Sequence, residues 1–300
     1  MQSETIPLKG LILLAALTLF WGFNWPFMKI ALNEVPVWWF RSYCLLIGGA
    51  GLLLFAKVAR QIVLPIKPEI RPLLYCVLFN VLGWHLFSAY GVTLMPAGRA
   101  VIIAFMMPVW ASILGSLFLN EPLTKTKIIA LLLGLFGLGV LIGPDLLSLK
   151  SKPIGALCML AASISWACGT VIFKKTNWHS STMALAGWQL VIGGVPIIIV
   201  ALFYERSFDP MQLSSQAYYA LGYVLALPMI FCQWAYLKSV RTLPASLAAM
   251  STLGIPVVGI FSSALILDEN IGYQEFASLI LICSALGTVL VLPTIRRNTT

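Results

Sequence analysis

MPAGRAVIIAFMMPVWASILGSLFLNEP, residues 95–122, returns 148 positions later as LPASLAAMSTLGIPVVGIFSSALILDEN, residues 243–270. Pro96-Ala97 aligns with Pro244-Ala245, Ala100 with Ala248, Pro108-Val109 with Pro256-Val257, Leu117 with Leu265, Leu119 with Leu267, and Glu121 with Glu269. Upstream the offset is 145, so that Gly10 aligns with Gly155, Trp21 with Trp166, Lys29 with Lys174, and Gly48-Gly49 with Gly193-Gly194. Two prolines, a Trp and a Glu recurring in order within Leu-rich sequence mark an internal duplication. The expected units are residues 1–147 and 148–300.

Each unit holds five long apolar runs bounded by charge, Pro or polar clusters. Helices are expected near 10–31, 37–56, 72–94, 97–119 and 126–143, then 154–174, 182–204, 215–237, 244–267 and 272–292. With 60% hydrophobic residues in 300 and only 29 charged side chains, almost nothing remains for a soluble domain. A bilayer core takes roughly 20 apolar residues per helical crossing, which the composition supplies about nine or ten times. The expectation is an all-α membrane protein of ten transmembrane helices. Five helices per unit is an odd number, so the second unit crosses in the opposite sense to the first. Inverted repeats of this kind characterise alternating-access transporters, whose substrate site lies near the midplane.

The net charge of +9 reads as topology. Basic residues sit in ones and twos between apolar runs rather than on a polar face, which excludes nucleic-acid binding. Lys29, Arg99, Lys150, Lys152 and Arg206 fall on one side, Arg41 lies in the second helix, and the remaining 13 of the 19 basic residues fall on the other side. By the positive-inside rule both termini are expected in the cytoplasm of a multi-pass inner-membrane protein. The first apolar run is as long as the others, so it reads as a permanent crossing rather than a cleaved signal. Cys44, Cys76, Cys158, Cys168, Cys232 and Cys283 lie in apolar runs without a CxxC pair, and are expected to be buried thiols rather than disulfide or zinc partners. No metal and no cofactor are expected.

WGFNWPFMK in the first helix, SWACGTVIFKK in the sixth, the paired PAxxA and mid-helix PV segments, and the terminal Leu119-Asn120-Glu121-Pro122 and Leu267-Asp268-Glu269-Asn270 carry a resemblance. Together they resemble the drug/metabolite transporter superfamily, specifically its ten-helix EamA-type transporters, over essentially the whole chain. The run LPASLAAMSTLGIPVVGIFSS is similar to a subgroup of inner-membrane exporters of amino acids such as cystine or cysteine. The resemblance implies that helices 1, 3, 4, 6, 8 and 9 surround a central cavity, with 5 and 10 peripheral, and that the halves rock.

Polar groups inside hydrocarbon are costly unless partnered or facing water, and so nominate a site. No Asp or Glu lies deep in a span, which counts against a pump for lipophilic cations. The scarcity of intramembrane Lys and Arg counts against a carrier of doubly charged phosphates. Arg41 either snorkels to the headgroups or binds a substrate carboxylate. Arg99 either positions the start of the fourth helix or serves an anion there. His85 packs, contacts substrate or couples protons, and the repeat sets Gln233 opposite it. Trp21 and Trp166 lie too deep for interfacial anchors, and either pack or line the cavity. Trp21, Asn24, Trp25 and Met28 form one helical stripe, with Asn24 a candidate substrate contact. Pro108 and Pro256 are candidate hinges, and Glu121 and Glu269 candidate loop-fixing or gating groups.

The expected function is a secondary transporter exporting a small amphipathic metabolite, an amino acid or derivative. Import, or carriage of another metabolite or a drug, is the alternative. An intramembrane enzyme would want paired carboxylates, a Ser/His dyad or a metal cluster at common depth, and a receptor would want a larger extramembrane surface. Expected partners are the small-molecule substrate and the lipid bilayer. A homodimer is possible from the small-residue stripe Gly48-Gly49-Ala50-Gly51.

Overall fold

The computed structural model describes residues 8–118, 125–147, 153–205, 209–233, 235 and 245–288. Among these the chain is helical, with no strand. The helical segments are α1 (Leu8–Glu34), α2 (Val37–Val58), α3 (Lys67–Leu94), α4 (Ala97–Phe118) and α5 (Lys125–Leu147). Then follow α6 (Ile154–Lys175), α7 (Thr182–Tyr204), α8 (Ser215–Cys232), α9 (Ala245–Leu267) and α10 (Tyr273–Leu286). Six of them, α2, α3, α4, α6, α7 and α8, are long and apolar enough to cross a bilayer. Shorter apolar stretches occupy Ile128–Leu141, Gly254–Leu267 and Tyr273–Ala285.

Element boundaries follow the sequence offsets. Lys67 of α3 and Ala97 of α4 stand 148 residues before Ser215 of α8 and Ala245 of α9, and Val37 of α2 stands 145 before Thr182 of α7. Both α3 and α8 widen into a π-helical segment, at Val77–Gly83 and Leu225–Cys232, again starting 148 residues apart. In α8 the cause is visible in Pro228, which has no N–H to donate. In α3 a neighbour compensates, because the Ser165 hydroxyl of α6 donates to the Phe79 carbonyl at 2.8 Å.

The two halves of the sequence interlock. α1 packs on α8 and α9, while α6, its counterpart by the 145 offset, packs on α3 and α4. α2 packs on α7, and α5 on α10. Between α2 and α7 the backbones touch: a Cβ on Gly49 would stand 2.9 Å from the Gly187 carbonyl oxygen, and one on Gly187 3.1 Å from that of Gly49. Gly48 and Gly51 close on Met229 and Ile230 of α8. Gly48, Gly49 and Gly51 are therefore used within the chain, where close backbone approach gains dispersion contacts without a hydrophobic driving force, while Ala50 is exposed.

Carboxylates fasten the element ends. Glu269 accepts from the amides of Ala97 at 2.7 Å and Gly98 at 2.9 Å, capping the start of α4. Lys29 donates to the carbonyls of Val92, Thr93 and Met95, closing the end of α3. Buried Glu69 accepts from Ile66, His179 and Ser180 amides and from the Ser180 hydroxyl. Glu34 receives the amide and hydroxyl of Ser214, the residue that caps α8, and those bonds hold its carboxyl below the usual range. Glu205 receives the amides of Trp38 and Trp39, and its burial pushes its carboxyl up.

Three expectations are corrected. α3 begins at Lys67 rather than 72, because Pro68 suits a first turn and Glu69 satisfies the free Ile66 amide. The fourth helix is interrupted at Phe105-Met106, since Pro108 cannot donate to the Ala104 carbonyl. Cys44, Cys76 and Cys232 are buried, but Cys158, Cys168 and Cys283 are half-buried. Uniformly apolar runs do not tell a lipid-facing helix side from a core-facing one.

Candidate functional site

The α1 stripe organises the site. Trp25 and Met28 are buried in the main core, and Trp21 and Asn24 are half-buried beside them. At one end Trp21 packs on a small cluster that contains Leu17, Cys232 and Ala235, adjoining Gln233. Seven residues at 1.5 Å rise carry the stripe about 10 Å along the axis to Met28 and the Arg41 side chain.

Arg41 does not snorkel: it is 3% exposed and points into the bundle. Its Nη2 donates to Ser88 Oγ of α3 at 2.8 Å and to the Met28 sulfur at 3.2 Å. The guanidinium carbon stands 5.1 Å from the Phe40 ring centroid. Ser88 in turn donates to the His85 carbonyl at 3.3 Å. His85, 4% exposed, lies one turn before Ser88 on the same helix. The preceding residue, Trp84, meets Trp166 of α6 edge-to-face with ring centroids 5.0 Å apart. Ser88 and Trp84, two residues the sequence reading did not single out, lie on the same helix as His85 and reach Arg41 and Trp166 respectively. Ser88 sits one turn from His85 on the same α3 face, and that spacing was the available signal.

Several buried polar atoms have no hydrogen-bond partner: Asn24 Oδ1, Arg41 Nε, Asn80 Oδ1, His85 Nδ1, Trp110 Nε1 and Ser163 Oγ. Orphaned groups of this kind are uncommon in folded proteins and call for an explanation. Asn80 does reach Gln189 of α7 through its amide nitrogen, at 3.4 Å. Among the described residues no group of His, Cys, Asp or Glu is arranged to hold a metal ion.

Arg99 and Glu269 belong to a second group at the start of α4. Arg99 Nε is paired with Glu275 Oε1 at 2.6 Å, and Glu275 Oε2 also accepts the Gly272 amide. With Glu269, Asp268, Asn270 and Ile260 they line a pocket of about 330 Å³. Glu269 here fixes a helix start, and Arg99 joins α4 to α10. Glu121 lies outside the described residues, as does the side chain of Pro108. Pro256 lies inside an unbroken α9, so the two symmetric prolines act differently on their helices.

A bundle of long apolar helices with a few polar groups held inside it is a membrane-embedded, multi-pass protein. The EamA-like transporter family model matches residues 8–143 and again 153–292, and the chain belongs to that family of membrane transporters. It is 30% identical over 278 residues to the uncharacterized transporter YvbV of Bacillus subtilis, covering 93% of this chain and 90% of that one. It is 27% identical over 295 residues to a probable amino-acid metabolite efflux pump of Escherichia coli, covering 93% of each. A solved crystal structure at 18% identity superimposes with a TM-score of 0.67, over 96% of this chain and 98% of that chain, and supports the fold.

Proposed function

We infer that the chain is a secondary transporter that exports a small amphipathic metabolite, an amino acid or derivative, across a bacterial inner membrane. In this reading the ten helices all cross, and residues 1–147 and 148–300 are inverted repeats that rock about a shared site with both termini cytoplasmic. The repeated element boundaries and the exchange of α1 and α6 packing partners support the repeats. The amino-acid reading is supported by the relative named for amino-acid metabolite efflux and by the chemistry of the site. Trp21 and Trp166 supply flat apolar walls, and Asn24, Arg41, His85 and Gln233 supply polar contacts. Arg99 and Glu269 hold the outer start of α4, Pro108 and Pro256 are the proposed hinges, and Glu121, the counterpart of Glu269 by the 148 offset, is a proposed gating group on the cytoplasmic side.

The observation that carries this reading is the set of unpartnered polar atoms on α1, α2 and α3, at Asn24, Arg41 and His85, inside an otherwise apolar bundle. A solute with polar and apolar ends satisfies them. Thermal unfolding of the purified full chain in detergent, titrated with L-cysteine, L-cystine, L-phenylalanine and L-leucine, tests it. At least one is expected to raise the midpoint saturably. No shift with any amino acid, and a shift with an unrelated drug or sugar, would overturn the substrate class.

A further inference from the structure

Among the described residues Arg41 is a buried cation that meets no anion. Among the described residues it forms no ion pair, and its hydrogen-bonding acceptors are a hydroxyl and a thioether. A guanidinium carries five N–H donors, and a thioether sulfur is a weak acceptor. Its Nε is buried and unpartnered, as is Nδ1 of neighbouring His85. Cys44, one turn further along α2 and fully buried, adds only a thiol. An uncompensated charge in an apolar interior is strongly unfavourable. Packing alone is served as well by a neutral side chain of similar length.

The geometry points to a carboxylate subsite formed by Arg41, Ser88 and His85 between α1, α2 and α3, which confines the substrates to compounds bearing a free carboxylate. This rests on the reading of the chain as a carrier of amino-acid-like solutes, and deepens it. One guanidinium with neutral neighbours matches the single charge of a carboxylate; a phosphate monoester brings nearly two. The Met28 sulfur holds the place of a carboxylate oxygen, and the unused Nε edge supplies the second donor of a bidentate contact. The α1 stripe then runs from this polar end toward Trp21, which gives the apolar stem of the solute its surface.

The subsite also lies where motion opens it. α2 packs along its length on α7 and on the π segment of α8, whereas Met28 belongs to α1 and Ser88 and His85 to α3. A shift of α2 with α7 draws the guanidinium away from the sulfur. A carboxylate entering at that moment replaces a poor acceptor with a charged one, so binding and rearrangement favour each other.

The test uses the full chain in proteoliposomes and in detergent, with L-leucine, L-phenylalanine and L-cysteine set against their carboxamides. In wild type the free acid is expected to outcompete its amide in tracer counterflow by about ten-fold or more. Arg41→Gln, which keeps a donor toward Ser88 but no charge, is expected to bring that preference close to unity. Arg41→Lys is expected to keep part of it, and Ser88→Ala to reduce it a few-fold. A folded Arg41→Gln protein with the wild-type acid-to-amide preference would overturn the subsite while leaving transport in place. If Arg41→Gln does not fold, an unchanged preference in both Arg41→Lys and Ser88→Ala overturns it equally. Saturable stabilisation of wild type by the acids, lost in Arg41→Gln and accompanied by no counterflow, would keep the subsite and overturn the transport reading. Neither binding nor counterflow of any acid by wild type would overturn both.

Discussion

At the scale of single residues, the site couples one aromatic pair to one polar cluster. The Trp84–Trp166 contact joins α3 to α6, and such a pair contributes about 1 kcal/mol beyond its buried area. Trp166→Ala is expected to lower transport several-fold while membrane insertion and yield stay intact, and Trp21→Ala to do the same from the opposite end of the stripe. Transport assays alongside membrane-fraction blots check this, and unchanged kinetics in both variants would remove the tryptophans from the site. His85 is read as a polar neighbour of Arg41 rather than a packing group. His85→Gln, which keeps a donor and an acceptor, is then expected to retain transport within a few-fold, and His85→Leu to lose most of it. Equal activity in the two variants would assign His85 to packing. The charged and larger polar candidates were partly legible in the sequence, but Ser88, Asn80, Ser163 and Gln189 were not singled out. The orientation of the candidates was not legible. Arg41 sits one turn into α2, where snorkelling and burial have the same sequence signature, and its contacts with Met28 and Ser88 show that it turns inward.

At the scale of elements, backbone contact and end-capping hold the bundle. Gly49→Val places methyl groups where a Cβ already meets backbone atoms of Gly187 and Val191 at 2.9 Å. α2 and α7 must then separate, and the variant is expected to unfold well below wild type, whereas Gly139→Ala, with open space around its Cβ, is expected to match wild type. Thermal unfolding in detergent distinguishes the two. Glu269→Gln removes a charge from the start of α4, where a carboxylate contributes about 0.3–1 kcal/mol against the helix dipole. A small loss of stability is expected, with substrate affinity unchanged. Glu34 offers a pH dependence. Its folded carboxyl ionises below the ordinary value of 4.5 because Ser214 donates to it twice. Its clasp therefore stabilises above that value and is lost as pH falls through the lower, folded one. Amide exchange around Leu213 and Ser214 is expected to rise as pH falls below the ordinary carboxylate range, and Glu34→Gln to raise it already at neutral pH. Helix positions were legible from the lengths of the apolar runs, and Thr182–Tyr204 falls at the expected residues. The π-helical segments were not legible: α3 carries one without any proline inside Val77–Gly83, so it answers to tertiary contacts such as Ser165 on Phe79.

At the scale of the whole molecule, the two stretches that the family model matches interlock rather than lie side by side as separate domains. The offsets point to corresponding elements, but the pairing of helices was not legible, because every run is apolar on all sides. Glycine positions resolve it: the same Gly48-Gly49 and Gly193-Gly194 pairs that reveal the repeat also mark tight packing on α2 and α7. The candidate site on α1, α2, α3 and α6 sits among elements that pack largely on the opposite half of the chain, and the proposed rocking of the halves would change its exposure. Direct observation of transport is the most searching test of this account. The full chain is inserted into inside-out vesicles, and uptake of labelled cysteine, cystine, leucine and phenylalanine is followed with and without an imposed pH gradient. Saturable uptake of at least one of them, beyond that of vesicles lacking the chain, is the predicted result. If none enters under either condition, while the same vesicles accumulate a non-amino-acid metabolite or a drug, amino-acid export is contradicted.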